Sequence, residues 1–272
     1  MKKQASIIVS MSVLFLMSFC LHQNRAEKMD PLTIESKTEK PGLSFTCVYD
    51  NYRVNPELKT EWGFAVVINM PSENILFDTG GDPDILLYNM KKIGIHPDSI
   101  NKVVISHGHY DHIGGLPGFL DENRNVTVFL PPSVPNAVKK MITGKGAEFV
   151  EVSEVCKISD FIYSTGELSG YPNEQALVID SKKGVIVITG CAHPGIVRIV
   201  EKAKEMMGVT DVYLVTGGFH HPPLSVVKKF VELGVKKVAP SHCSGDPVRK
   251  AFAEEYGQDF IAYGVGKIIE IK

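Results

Sequence analysis

Seven consecutive residues, Ser106-His107-Gly108-His109-Tyr110-Asp111-His112, bring three imidazoles and a carboxylate together directly after the apolar run Val103-Val104-Ile105. Imidazole nitrogen and carboxylate oxygen are donors that zinc and neighbouring divalent ions accept. His107 and His109 are two apart, so at an extended strand end both side chains leave one face and can grip a single ion. Asp111 and His112 come after a turn, are displaced from that pair, and suit a second ion close by. Strand, ligand run and glycine turn follow in the order such a site needs, which a merely polar, histidine-rich loop would not supply.

Those side chains need a scaffold. Short β-branched runs predict strands at residues 45–49, 64–70, 75–77, 102–105, 127–130, 176–180, 185–189, 212–215, 237–239 and 267–271. Amphipathic segments predict helices at 84–93, 134–141, 196–207, 225–233 and 247–256. In the third of these, Ile196, Ile199, Val200, Ala203 and Met207 recur at helical spacing, and Gly208 stops the run. Turn-rich residues 70–74 and 180–184 predict hairpins that pair their flanking strands antiparallel. Early hairpins and later strand–helix alternation argue for two sheets packed face to face with helices outside, an α/β protein (α+β in some schemes). Each ligand run follows a strand, so the loops can meet along one edge.

His107-x-His109-x-Asp111-His112 resembles the metal-binding motif of the metallo-β-lactamase superfamily. Leu76-Phe77-Asp78-Thr79-Gly80, Glu174-Gln175-Ala176-Leu177-Val178, Thr189-Gly190-Cys191-Ala192-His193-Pro194-Gly195, Gly217-Gly218-Phe219-His220 and Pro240-Ser241-His242-Cys243 narrow the match. They are similar to the branch of metal-dependent hydrolases that includes dihydropterin ribofuranosylaminobenzene phosphate synthase. The resembling stretches span about residues 45–272. They imply a four-layer αββα sandwich, here over residues 44–272.

His193 lies between a buried-looking strand and a helix entrance at Pro194, where glycines allow a tight turn. It would complete a three-imidazole site with His107 and His109; the alternative is a histidine contacting backbone at the helix entrance. The resemblance implies that His242 completes a second site with Asp111 and His112, the alternative being a supporting role. Asp78, ahead of Thr79-Gly80-Gly81, could cap a turn. The resemblance instead implies a carboxylate that orients a ligand histidine.

One departure stands out. Many hydrolases of the superfamily carry an aspartate that bridges both metals, at the end of the strand before the last ligand. Here the strand at 212–215 runs into Thr216-Gly217-Gly218-Phe219-His220-His221 without a carboxylate, as the named branch does. His220 could replace the bridge, bind a substrate phosphate, or act as acid or base; His221 is expected to face solvent or be structural. Cys191 and Cys243 lie close to candidate ligands. Small residues packed at strand ends are expected there rather than thiolate ligands.

These readings converge on a binuclear metal-dependent hydrolase using metal-bound hydroxide on a small-molecule ester, lactone or phosphate ester. Its cofactors would be two divalent ions, zinc first, with iron or manganese as alternatives. Asp111 or His220 would handle the proton. Two other readings stay open. One is the carbon–nitrogen condensation implied by the named branch. The other is a di-iron redox protein, although such relatives carry glutamate where His109 stands and work with an electron-donor domain.

The 272 residues are 44% hydrophobic and 22% charged, with a formal net charge of −2, so no concentrated basic face argues for a nucleic-acid partner. Lys2-Lys3, an apolar run over residues 7–19 and the absence of any acid before Glu27 read as an export signal over residues 1–26. A lipoprotein at Cys20 and an uncleaved anchor are the alternatives. Residues 27–43 then form a linker. The protein is expected to be exported, periplasmic or extracellular, with the N-terminal segment contacting the membrane during export. The five cysteines form no framework of the small secreted type.

Overall fold

Along the chain run the strands β1 (Leu43–Asp50), β2 (Phe64–Asn69), β3 (Asn74–Phe77), β4 (Lys102–Val104), β5 (Thr127–Leu130), β6 (Glu148–Glu151), β7 (Cys156–Ser159), β8 (Ile162–Ser164), β9 (Leu177–Ser181), β10 (Gly184–Thr189), β11 (Val212–Gly218), β12 (Val235–Ser241) and β13 (Ile268–Ile271). The helices are α1 (Pro83–Lys92), α2 (Tyr110–Ile113), α3 (Leu116–Glu122), α4 (Asn136–Gly144), α5 (Ile196–Met207), α6 (Val226–Glu232) and α7 (Asp246–Tyr256). The computed structural model describes residues 39–272. The expected export segment, and residues 27–38 of the expected linker, lie outside the described residues.

Two sheets form, in the orders β13-β1-β2-β3-β4-β5-β6 and β12-β11-β10-β9-β8-β7. Phe45, Phe64, Ile68, Phe77, Ile179, Ile186 and Leu214 fill the space between them. On the outer face of the first sheet, Val67 and Leu76 pack with Leu86, Met90, Phe119 and Leu120 from α1 and α3. On the outer face of the second, Val178 and Val187 meet Ile199, Val200, Phe230 and Phe252 from α5, α6 and α7. Three apolar interfaces therefore separate four layers, helix, sheet, sheet, helix, which is the expected αββα sandwich.

Topology puts the functional loops together. β3 and β4 are parallel, with Phe77 opposite Val104. β10, β11 and β12 are also parallel, with Thr189 opposite Gly217 and Gly218 opposite Ser241. Parallel neighbours end on the same side of their sheet, and donor atoms after β4 lie within 4.8 Å of those after β10 and β12, so the segments after these five strands share one edge of the sandwich. Both expected hairpins form: β2 and β3 pair antiparallel around residues 70–73, and β9 and β10 around Ser181 and Gly184.

Some elements differ from expectation. β6, β7 and β8 are three or four residues each, too short for a period of two to register. All three accordingly fall outside the expected strands. No helix was expected at Leu116–Glu122, where α3 forms; its Pro117 is tolerated because it stands in the first helical turn. Gly118 is required there for room, since a Cβ would stand 2.4 Å from the Pro83 side chain. Helix α4 starts two residues later than the expected 134, because Val134 precedes Pro135 and is steered out of helical geometry.

Candidate metal centre

Asp78, the His107–His112 run, His193, His220 and His242 all follow the strand ends of that one edge. Of the six non-glycine residues with positive φ among the described residues, five lie here: Asp78, Ala192, His220, His221 and His242. Such backbone costs about 1–2 kcal/mol per residue and persists where the surroundings over-determine it. The local chain has been bent to aim these side chains.

Two donor groups result. The ligand atoms of His107, His109 and His193 all lie within 4.8 Å of one another, and so do those of Asp111, His112, Cys191 and His242. A third group, Cys191, His193 and His220, links the first two. His107, His112 and His242 are buried, whereas His109 and His220 are exposed, so the centre is closed below and open above.

Hydrogen bonds set the tautomers. His112 Nδ1 donates to Asp78 Oδ2 at 2.7 Å, and a carboxylate can only accept, so in the neutral ring that binds metal it is Nε2 of His112 that carries the free lone pair. Ser106 Oγ donates to the same Asp78 oxygen at 2.7 Å and lies 2.9 Å from His107 Nδ1. With its donor capacity used, this hydroxyl accepts from Nδ1 and leaves Nε2 of His107 free. His242 Nδ1 pairs with Asn51 Oδ1 at 3.1 Å, and Asn51 Nδ2 donates to the His242 carbonyl. Nε2 of His107, both ring nitrogens of His193 and Nε2 of His242 are buried with no hydrogen-bond partner. Buried polar atoms are rarely left so. Orphaned nitrogens aimed at common points fit divalent ions.

The electrostatics agree. Burial, then the neighbouring imidazoles of His112 and His193, hold the His107 pKa well below its ordinary value. Burial, His220 and His109 push His193 down to about 3. Both rings are therefore neutral at pH 7, the state in which imidazole binds metal. Burial also opposes charge on His112, but the Asp78 carboxylate outweighs it and raises the pKa to about 9. Although burial opposes its charge, the Asp111 carboxyl is held well below the usual range by His242 and His112 beside it.

Asp78 thus supports both donor groups. Asp78→Asn should keep the left-handed turn, which asparagine tolerates, while placing an N–H₂ group against an imidazole N–H. We expect metal affinity to fall about 10–100-fold, the usual effect of losing such a supporting partner. Competition against a chromophoric chelator measures it; an unchanged affinity would remove Asp78 from the centre.

Several contributors carried little sequence signal. The buried Glu174 carboxylate accepts the backbone N–H groups of Gly190, Cys191, Ala192 and His193 at 2.8–3.1 Å, holding the His193 loop in its turn. Its neighbour Gln175 donates to the Ile105 carbonyl at 2.8 Å, tying the second sheet to the end of β4. Glu174-Gln175 stands among the resembling stretches, but nothing in the sequence assigned either residue a task. The ring of Trp62, the only tryptophan in the chain, lies 4.8 Å from that of His242 and is 49% exposed. Asn51 and Trp62 had no signal at all. His221 is exposed and packs against Gly245.

The two cysteines are free and buried, with sulfurs 3.1 Å apart. Cys191 Sγ is 3.2 Å from His112 Nε2. Burial opposes a thiolate on Cys243, yet hydrogen bonds from Cys191 and His220 hold its thiol well below the usual range. The contact with Cys243, then burial, pushes the Cys191 thiol up. The same hydrogen bond to Cys243 raises His220 above its ordinary value.

A four-layer sandwich with histidine and aspartate donors on its strand-end edge defines a class, and the chain is similar to the metallo-β-lactamase superfamily. The family match itself covers residues 63–140. Among individual proteins, the chain is similar to the 7,8-dihydropterin-6-methyl-4-(beta-D-ribofuranosyl)-aminobenzene-5'-phosphate synthase of Methanocaldococcus jannaschii. The two are 29% identical over 83% of this chain and 95% of the relative. A solved metal-dependent hydrolase of the β-lactamase superfamily superposes with a TM-score of 0.70 at 28% identity, over 84% of this chain and 99% of that one. The short form of human tRNase Z shares the fold, with a TM-score of 0.59 at 16% identity over 84% and 99% of the two chains.

Proposed function

We propose that this protein is a binuclear metal-dependent hydrolase that cleaves an ester, lactone or phosphate ester. The observation that carries the reading is the pair of adjoining donor groups in which His107 Nε2, both His193 ring nitrogens and His242 Nε2 are buried without a hydrogen bond. Divalent ions, zinc first, would be held by His107, His109 and His193 on one side and by Asp111, His112 and His242 on the other. They would supply Lewis acidity, which lowers the pKa of water toward about 7 and polarises a carbonyl or phosphoryl oxygen.

The chain's own residues divide the remaining work. Asp111 Oδ2 is engaged within 3.2 Å of His242 Nε2 and 3.7 Å of His112 Nε2, so its carboxylate is committed to the donor group. His220 stands at the open side, exposed, with its ring 4.2 Å from that of His193. It is the group placed to pass a proton to a leaving oxygen. Tyr110 and Trp62, both exposed beside ligand histidines, wall the approach.

Metal analysis of purified protein should find close to two divalent ions per chain. A panel of carboxylic esters, lactones and phosphodiesters should then give turnover that chelation abolishes. A metal-loaded protein inert on the whole panel would overturn the hydrolase reading. Similarity to the Methanocaldococcus synthase supports a second reading, a condensation that expels pyrophosphate from a ribosyl donor. Pyrophosphate release with an aromatic acceptor, and no hydrolysis, would favour it.

Residues 1–26 are proposed to direct export. A fusion of residues 1–30 to a reporter active only outside the cytoplasm should give signal, because Lys2-Lys3 and the apolar run satisfy membrane targeting. A reporter that stays cytosolic would sink this localisation.

A further inference from the structure

The geometry points to Cys191 as a metal ligand, its sulfur completing the group of Asp111, His112 and His242. This rests on the binuclear reading above and assigns the residue that occupies the place of the missing carboxylate.

Three observations carry it. The first is fit. Two donors about 2.0–2.3 Å from one ion, at angles scattered about the tetrahedral value by roughly 10°, stand roughly 3.1–4.0 Å apart. Cys191 Sγ lies 3.2 Å from His112 Nε2, Asp111 Oδ2 lies 3.2 Å from His242 Nε2, and Asp111 Oδ2 lies 3.7 Å from His112 Nε2. His242 is 1% exposed, and its Nε2 has no hydrogen-bond partner.

The second is space. The end of β11, where many relatives carry a bridging aspartate, holds Gly218. A Cβ there would stand 2.7 Å from Cys243 Sγ and 2.3 Å from the Gly190 carbonyl. No side chain can enter from β11, because the cysteine region fills that volume. The third is position. Cys191 belongs both to the Asp111 group and to the group containing His193 and His220, so its sulfur lies between the two donor groups.

Chemistry follows from the donor set. A coordinated thiol is deprotonated outright, so with an ion held there Cys191 would be the thiolate and Cys243, at 3.1 Å, would carry the proton and donate to it. Asp111, His112, Cys191 and His242 make four protein ligands, a closed set, whereas the three imidazoles of the other group leave a position open. The open group would take substrate; the closed group would hold its ion in place and favour thiophilic ions over magnesium or manganese. The sulfur is buried, as the sequence led one to expect, and stands within polar contact of a ligand nitrogen at 3.2 Å.

The test loads reduced, purified protein with Co²⁺ alone. Two ions per chain and a sulfur-to-cobalt charge-transfer band in the near ultraviolet are expected. Cys191→Ser should abolish the band and weaken the second ion by more than the roughly 10–100-fold that loss of a supporting partner costs. Cys243→Ser should keep the band, which decides between the two sulfurs even if Cys191→Ser does not fold. Two ions bound with no band, a band that survives Cys191→Ser, or a band lost in Cys243→Ser would overturn the assignment. Wild-type protein that takes up no ion would overturn the binuclear reading as well; two ions without a band would overturn the sulfur assignment alone.

Discussion

Replacing His109 by alanine should cost one of the two ions and about 10³-fold or more in turnover. Lewis acidity is worth several kcal/mol in the transition state, and each 1.36 kcal/mol is a factor of ten. His109 is the cleanest probe of the three-imidazole group. Its ring is exposed and lies 4.8 Å from those of His107 and His193, so truncation removes a donor and leaves the core untouched. His107→Ala should abolish turnover too. That side chain is fully buried, however, so its loss would also open a cavity and cost stability. The informative comparison is metal content, turnover and melting temperature of His109→Ala against wild type. Metal falling from about two ions to about one with unchanged melting is the expected pattern. Full activity in this variant, or in chelator-stripped protein, would exclude a metal-dependent mechanism.

His220→Ala should behave differently, keeping both ions while kcat falls roughly 10²–10⁴-fold, the range of a positioned acid or base. The separation follows from place. His220 is exposed on the open side, beyond His193, and is hydrogen-bonded to Cys243. A histidine cannot hold two ions as a bridging carboxylate does, because its two ring nitrogens point in different directions. Its backbone is left-handed, with φ 52°, a conformation that asparagine and histidine adopt more readily than alanine. His220→Asn, which tolerates that conformation, should match the alanine variant in kcat and so separate proton transfer from backbone strain. Loss of one ion in either variant would make His220 a ligand. Unchanged kcat would reduce the residue to a structural role.

The His107–His112 run was legible because its information is local. Two residues of separation on extended chain fix the relative direction of two side chains whatever else the protein does. Apolar runs before it and a glycine turn after it are equally local, as are the 3.6-residue period of α5 and the turn signals of both hairpins. These sufficed for the layered architecture and for the histidines and aspartate at the strand ends.

Other features were decided between distant residues. Asn51 orients His242 across 191 positions of sequence, and Glu174 steadies a loop 16–19 residues away through four backbone N–H groups. Nothing about an asparagine after a strand encodes such a partner. Cys191 is the sharpest case. Its neighbours Gly190 and Ala192 fit a packed small residue as well as a ligand. Only the parallel alignment of β10, β11 and β12 brings its sulfur to Cys243, and only the packing of one sheet on the other brings it to His112. Sequence by itself determined which residue types could bind metal and that they end strands. Which lone pairs are free, which side is open and what fills the space of the absent carboxylate were decided by tertiary structure. Those properties depend on contacts across the two sheets, and pairings of that range leave no period or spacing in the chain.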